Sequence, residues 1–172
     1  MDKKFIPYGK QKITEEDINS VVKVLRSDFI TQGDKVPEFE KLICKTLHVQ
    51  HSTAVNSATS ALHLACLALG LSKGDILWTS PITFVASANC GRYCGAEIDF
   101  VDIEDKNALI SIEKLKLKLE KAKQINKLPK IVIPVHLSGT SCDMRSIKRL
   151  SEEYGFRVIE DASHAIGGKY LN

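Results

Sequence analysis

The sequence predicts an α/β fold, a mostly parallel sheet with helices on both faces. Two observations carry that prediction. Strand-like and helix-like stretches alternate along the chain, and the strand-like stretches are near-continuous apolar runs, the pattern of strands covered on both sides. The length of 172 residues suits one sizeable domain rather than two complete ones.

Each element has its own signal. Thr14 and Asp17 form a capping pair opening a helix whose apolar positions are Ile18, Val21, Val22 and Leu25. A turn at Thr31-Gln32-Gly33 leads to a second helix after Pro37, carrying Phe39, Leu42, Ile43 and Leu47. Thr53-Ala54-Val55 reads as a short strand, followed by a helix over 60–69 that Gly70 stops. That helix is apolar on most sides, which predicts burial. Next come a strand over 76–78, a helix over 84–93, a strand over 98–101 and a lysine-rich helix. A strand over 130–135 follows. Asp143 then caps a helix that runs to Tyr154 and stops at Gly155, and the chain returns as a strand over 157–160. The pattern contains no repeat, low-complexity segment or linker.

Composition narrows the function classes. Apolar residues make up 44% and charged residues 26%, ordinary for a globular protein. Twenty-four basic and 21 acidic residues leave a net charge of +3, which argues against nucleic acid and membrane surfaces as partners. The densest basic stretch, Lys114 to Lys130, alternates with Leu115, Leu117, Leu119 and Ala122, as a solvated helix face does. Five cysteines without a CxxC pair predict buried reduced thiols and no metal site. The first 12 residues are polar and carry no signal-peptide pattern, and no apolar run would cross a bilayer. The expectation is a soluble, cytoplasmic protein.

Ligands of such sheets bind beyond the carboxyl ends of the strands, and three clusters fall there. Asn56-Ser57-Ala58-Thr59-Ser60 puts small residues at a helix start, where free N–H groups favour a phosphate. Plain N-capping by Ser57 or Thr59 would account for the same residues. Ser80-Pro81-Ile82-Thr83-Phe84 brings a ring to a helix entrance, where it could stack on a planar cofactor or pack into the core. Glu160-Asp161-Ala162-Ser163-His164, with Gly167 and Gly168 beyond, reads either as a working loop or as a cap with a surface histidine. Neither GxGxxG nor GxxxxGK[ST] occurs, so no dinucleotide or ATP site is indicated.

Together with the opening Ile6-Pro7-Tyr8-Gly9-Lys10-Gln11, Asp28-Phe29-Ile30-Thr31-Gln32-Gly33 and Val36-Pro37-Glu38-Phe39-Glu40, these clusters resemble the DegT/DnrJ/EryC1/StrS family. The resemblance covers essentially all of residues 1–172. It implies a type I aminotransferase fold with pyridoxal phosphate as cofactor, and a homodimer whose active sites lie at the subunit interface. It implies amination of a keto sugar on a nucleotide, closest to the branch that makes pseudaminic acid. There the acceptor is C4 of a UDP-linked 4-keto-6-deoxy-N-acetylhexosamine and the amino donor is glutamate. Other readings are a GDP-perosamine or dTDP-sugar aminotransferase, and a lysine-less relative that only binds.

By the family's pattern Asp161 keeps the cofactor's ring nitrogen protonated, and His164, where the family usually has glutamine, sits near the ring hydroxyl. Phe84 stacks on the ring, Ala58, Thr59 and Ser60 hold the phosphate, and Tyr8, Asp28, Phe29, Ile30, Thr31 and Ala58 face the sugar nucleotide. The family's cofactor-bearing lysine follows in a segment like Ser-Phe-His-Pro-x-Lys. No lysine here has that context, and Lys169 is too close to His164. The expectation is therefore the front of the large domain, without the small C-terminal domain and inactive alone.

Overall fold

The computed structural model describes residue 7 and residues 9–171. The chain divides into two compact units, one ending at Ala54 and one beginning at Val55.

The first unit holds two helices. Helix α1 (Glu15–Leu25) starts with the capping box anticipated from Thr14 and Asp17: each residue's side chain accepts the other's backbone N–H. Helix α2 spans Lys35–Leu47, so it begins two residues before Pro37, the residue expected to precede it. A proline in the first turn loses no helical hydrogen bond, which is why α2 passes through it. The Thr53–Val55 strand does not form. A strand needs a neighbouring ladder; the Ala54 N–H instead donates to the Glu40 carboxylate at 2.8 Å.

The second unit contains a four-stranded parallel sheet in the order β2-β1-β3-β4. The strands are β1 (Ile76–Thr79), β2 (Glu97–Phe100), β3 (Ile131–Ile133) and β4 (Arg157–Val158). Strand side chains alternate between two cores. Leu77, Ile131 and Ile133 pack with Leu62 and Cys66 of α3 (Ala58–Ala68) and Ala86 and Cys90 of α4 (Ala86–Tyr93). Trp78 and Val132 pack with Leu115 and Leu119 of α5 (Ile112–Gln124) and Ile147 and Leu150 of α6 (Met144–Tyr154). The predicted α/β architecture, a parallel sheet with helices on both faces, is the one found.

Helix α3 departs from the expectation of burial. Only Leu62 and Cys66 are buried, and Leu64 and Leu67 are exposed. The lysine-rich α5 behaves as expected, with Leu115, Leu119 and Ala122 inward and most lysines outward. Lys118 is the half-buried member, paired with Asp99 at 2.6 Å and lying over the Trp78 ring. All five cysteines are free thiols. The Cys90 sulfur and burial together push the Cys66 thiol up, which keeps it protonated in the core.

Helix α4 sits directly on the sheet and sets the height of the side chains it carries. A Cβ on Gly91 would stand 2.5 Å from Ile98 Cδ1 and 3.2 Å from Leu77 Cβ, so any larger residue there would push the Ile98 side chain aside and press on Leu77. In the complete protein Gly91→Ala should lower stability by about 1–3 kcal/mol through overpacking, seen as a lower urea midpoint. An unchanged midpoint would contradict the close helix–sheet contact.

Candidate active site

From β1 the chain steps to β2 on one side and then to β3 on the other, so its direction reverses between β1 and β3. In an open parallel sheet that reversal leaves a crevice above the carboxyl ends of the strands. Three of the segments singled out in the sequence belong to this unit: the start of α3, the turn before α4, and the loop after β4.

Asp161 is the centre of the third. It is 6% exposed, although it is an acid. Its backbone extends the pairing of β3 and β4: the Asp161 N–H donates to the Pro134 carbonyl at 3.0 Å, and its carbonyl accepts the His136 N–H at 3.0 Å. Burying a carboxyl is costly without hydrogen bonds, and this one has three donors. Ser87 Oγ donates to Oδ2 at 2.7 Å, while the Ser163 N–H and Oγ donate to Oδ1 at 3.2 and 2.7 Å. Ser87 lies on α4 and is fully buried, so Asp161 faces the side of the sheet that α3 and α4 cover.

The start of α3 is capped by Ser57, whose hydroxyl accepts the Ser60 N–H at 3.2 Å. The first intrahelical donor is Ala61, to the Ser57 carbonyl. The Ala58 and Thr59 N–H groups therefore have no acceptor among the described residues. Capping and anion binding are thus compatible, and divide the donors between them. Ser60 keeps only its hydroxyl for a ligand, since its N–H is engaged.

Phe84 precedes α4 and is 72% exposed, so it is not a core residue. His164 is exposed in the turn after Asp161, where the Ala165 N–H donates to the Ala162 carbonyl at 2.8 Å. Asp28, Phe29, Ile30 and Thr31 form an exposed turn of the first unit. Gly33 closes that turn against the Phe29 carbonyl, which lies 3.0 Å from where a Cβ would be. Tyr8 lies outside the described residues.

Sequence reading missed Ser87, and it named Thr83 and Ser163 within their clusters without giving either a role. A signal for Ser87 and Thr83 existed: Thr83 and Ser87 are four residues apart, and Ser87 shares a turn of α4 with the buried Cys90 and Gly91. Hydroxyls on a buried helix face need partners. His136, also overlooked, is buried on the other face of the sheet. Contact with the Cys142 side chain and the Glu160 carboxylate at 2.8 Å push its ring up, to about 9. In its neutral form the Cys142 N–H, 3.2 Å from Nδ1, keeps the proton on Nε2 toward Glu160. No cluster of metal-ligating side chains occurs among the described residues, and no helix there is long and apolar enough to cross a membrane.

The DegT/DnrJ/EryC1/StrS aminotransferase family model matches residues 11–172. A UDP-4-amino-4,6-dideoxy-N-acetyl-beta-L-altrosamine transaminase of Campylobacter jejuni is 39% identical over 165 residues, 96% of this chain and 43% of its own length. A Helicobacter pylori aminotransferase involved in the biosynthesis of pseudoaminic acid superposes with a TM-score of 0.89 at 32% identity, covering 98% of this chain and 44% of that one. A candidate sugar aminotransferase of Streptococcus pneumoniae, solved in its PLP form, superposes with a TM-score of 0.84 at 27% identity, covering 94% and 44%. The chain thus spans about two fifths of the length of these relatives.

The free donors of α3 yield a specific expectation. Proline is well tolerated at the first position of a helix, and Ser57 already has the extended conformation that a following proline requires. Ala58→Pro in the complete protein should keep its fold but weaken binding of inorganic phosphate roughly tenfold, as befits loss of one charge-assisted bond. Titration calorimetry gives the affinity. Unchanged affinity with an intact circular dichroism spectrum would remove Ala58 from the anion site.

Proposed function

This chain belongs to the DegT/DnrJ/EryC1/StrS aminotransferase family, and from that premise we propose that the complete protein transfers an amino group to a keto sugar carried on a nucleotide. The cofactor of this family is pyridoxal phosphate. The proposed acceptor is C4 of a UDP-linked 4-keto-6-deoxy-N-acetylhexosamine, with glutamate as donor and pseudaminic acid as the end of the route. The similarity to the Campylobacter jejuni transaminase supports that choice.

The single observation that carries the reading is the buried Asp161 carboxyl at the carboxyl end of the sheet, held by serines on both oxygens. The residues present fit the cofactor. A flat cation with an N–H at one end and a phosphate at the other needs a buried acceptor, a set of free N–H donors and an aromatic face. Asp161, the Ala58 and Thr59 N–H groups and the exposed Phe84 ring supply one of each. When bound, the cofactor supplies an electron sink that makes the proton on the amino-bearing carbon removable.

The chain's own residues have separate tasks. Asp161 holds the proton on the ring nitrogen, without which the sink fails. Ala58 and Thr59 anchor the phosphate through backbone N–H groups at a positive helix end, with the Ser60 hydroxyl beside them. Phe84 stacks on the ring and limits water on that side. His164 bonds the ring hydroxyl, and Tyr8 with the Asp28–Thr31 turn meets the sugar nucleotide. A lysine that moves the proton completes this set of roles, and none of the residues given roles here supplies it.

Asp161→Asn keeps the shape and removes the charge. Single-turnover transfer from glutamate to the bound cofactor, followed by absorbance, should slow roughly a hundredfold, the scale of a lost preorganised electrostatic partner. Phosphate-anchored binding should persist. Near-normal rates for the Asn variant would take Asp161 out of the active site.

A further inference from the structure

The Asp161 carboxyl has a limited supply of acceptor positions, two on each oxygen. Oδ1 accepts both the Ser163 N–H and the Ser163 hydroxyl, so its positions are filled. Oδ2 accepts only the Ser87 hydroxyl, at 2.7 Å, which leaves one position open. Ser87 is itself constrained. Its oxygen lies 2.8 Å from Thr83 Oγ1 and 3.2 Å from the Phe84 carbonyl, yet it has a single proton. The carboxyl oxygen is the nearest acceptor and takes that proton, so the Thr83 hydroxyl donates in turn to Ser87. The result is a hydroxyl relay from Thr83 through Ser87 to Asp161, spanning 74 residues of sequence at its last step.

We infer that Ser87 is a positioning residue for the cofactor: its hydroxyl, oriented by Thr83, aims the open acceptor position of Asp161 Oδ2 at the protonated ring nitrogen. This rests on the role proposed above for Asp161. The relay begins beside Phe84, so the residue that stacks on the ring and the one that meets its nitrogen are set by the same end of α4. Close seating of α4 at Gly91 fixes the height of Ser87 above the sheet. A misplacement of the acceptor by a fraction of an ångström weakens the hydrogen bond without removing the charge, which separates this effect from loss of Asp161 itself.

The test is nitrogen NMR of the complete protein loaded with pyridoxal phosphate labelled with 15N in its ring, since that resonance reports protonation of the ring nitrogen. In Ser87→Ala the resonance should shift toward the neutral-ring position, and kcat should fall roughly tenfold with KM for glutamate within about twofold. Thr83→Val, at a half-buried site, should shift it in the same direction and less. Asp161→Asn is the reference for complete loss. A resonance that moves in Asp161→Asn but stays put in both hydroxyl variants overturns the relay while leaving Asp161 in place. A resonance unmoved in Asp161→Asn overturns the underlying reading instead. A Ser87→Ala protein that fails to load cofactor leaves Thr83→Val to decide.

Discussion

A buried carboxyl must be hydrogen-bonded or it will not stay buried, and at Asp161 that requirement ties together three parts of the fold. Its backbone completes the register of β3 and β4 through Pro134 and His136. Its side chain draws on Ser87 from α4 and on Ser163 from its own loop. Loss of any of these would leave a polar group stranded in a nearly dry place. The acid therefore ties Ser87, on an α4 already seated against the sheet at Gly91, to the end of the sheet near Phe84. That structural constraint and the role proposed for Asp161 need the same thing, a carboxyl whose direction cannot drift.

The parallel sheet makes the coincidence possible. Reversal of strand order between β1 and β3 opens the space above the carboxyl ends, and the alternation of side chains assigns that space two faces. Asp161 and Ser87 belong to the face covered by α3 and α4. The unfilled N–H groups of α3 start in the same layer. On the opposite face, His136 is bound to the Glu160 carboxylate and the Cys142 N–H.

Much of this is legible in the sequence because local signals are strong. The Asp143 cap and Gly155 stop bound α6 as read, and the Thr14–Asp17 box opens α1. Apolar runs mark all four strands within a residue or two, except that β3 and β4 are shorter than their apolar stretches. The Thr53–Val55 strand fails because strand formation depends on a partner, which composition does not reveal. The start of α2 lies earlier than Pro37 suggests because the first turn of a helix accepts a proline. Within the site, the strand-end rule points to Asp161, Ala58 and Phe84. It does not point to Ser87: the place of Ser87 on the buried face of α4 says that its hydroxyl needs a partner, not that the partner is an acid 74 residues away.

The measurement that bears most directly on this account is a crystal structure of the complete protein with pyridoxal phosphate bound. The account predicts the ring nitrogen within about 2.6–3.2 Å of Asp161 Oδ2, the phosphate against the Ala58 and Thr59 N–H groups, and the Ser87 hydroxyl still on Oδ2. A ring nitrogen facing any other group, with Asp161 bonded only to its two serines, would contradict it.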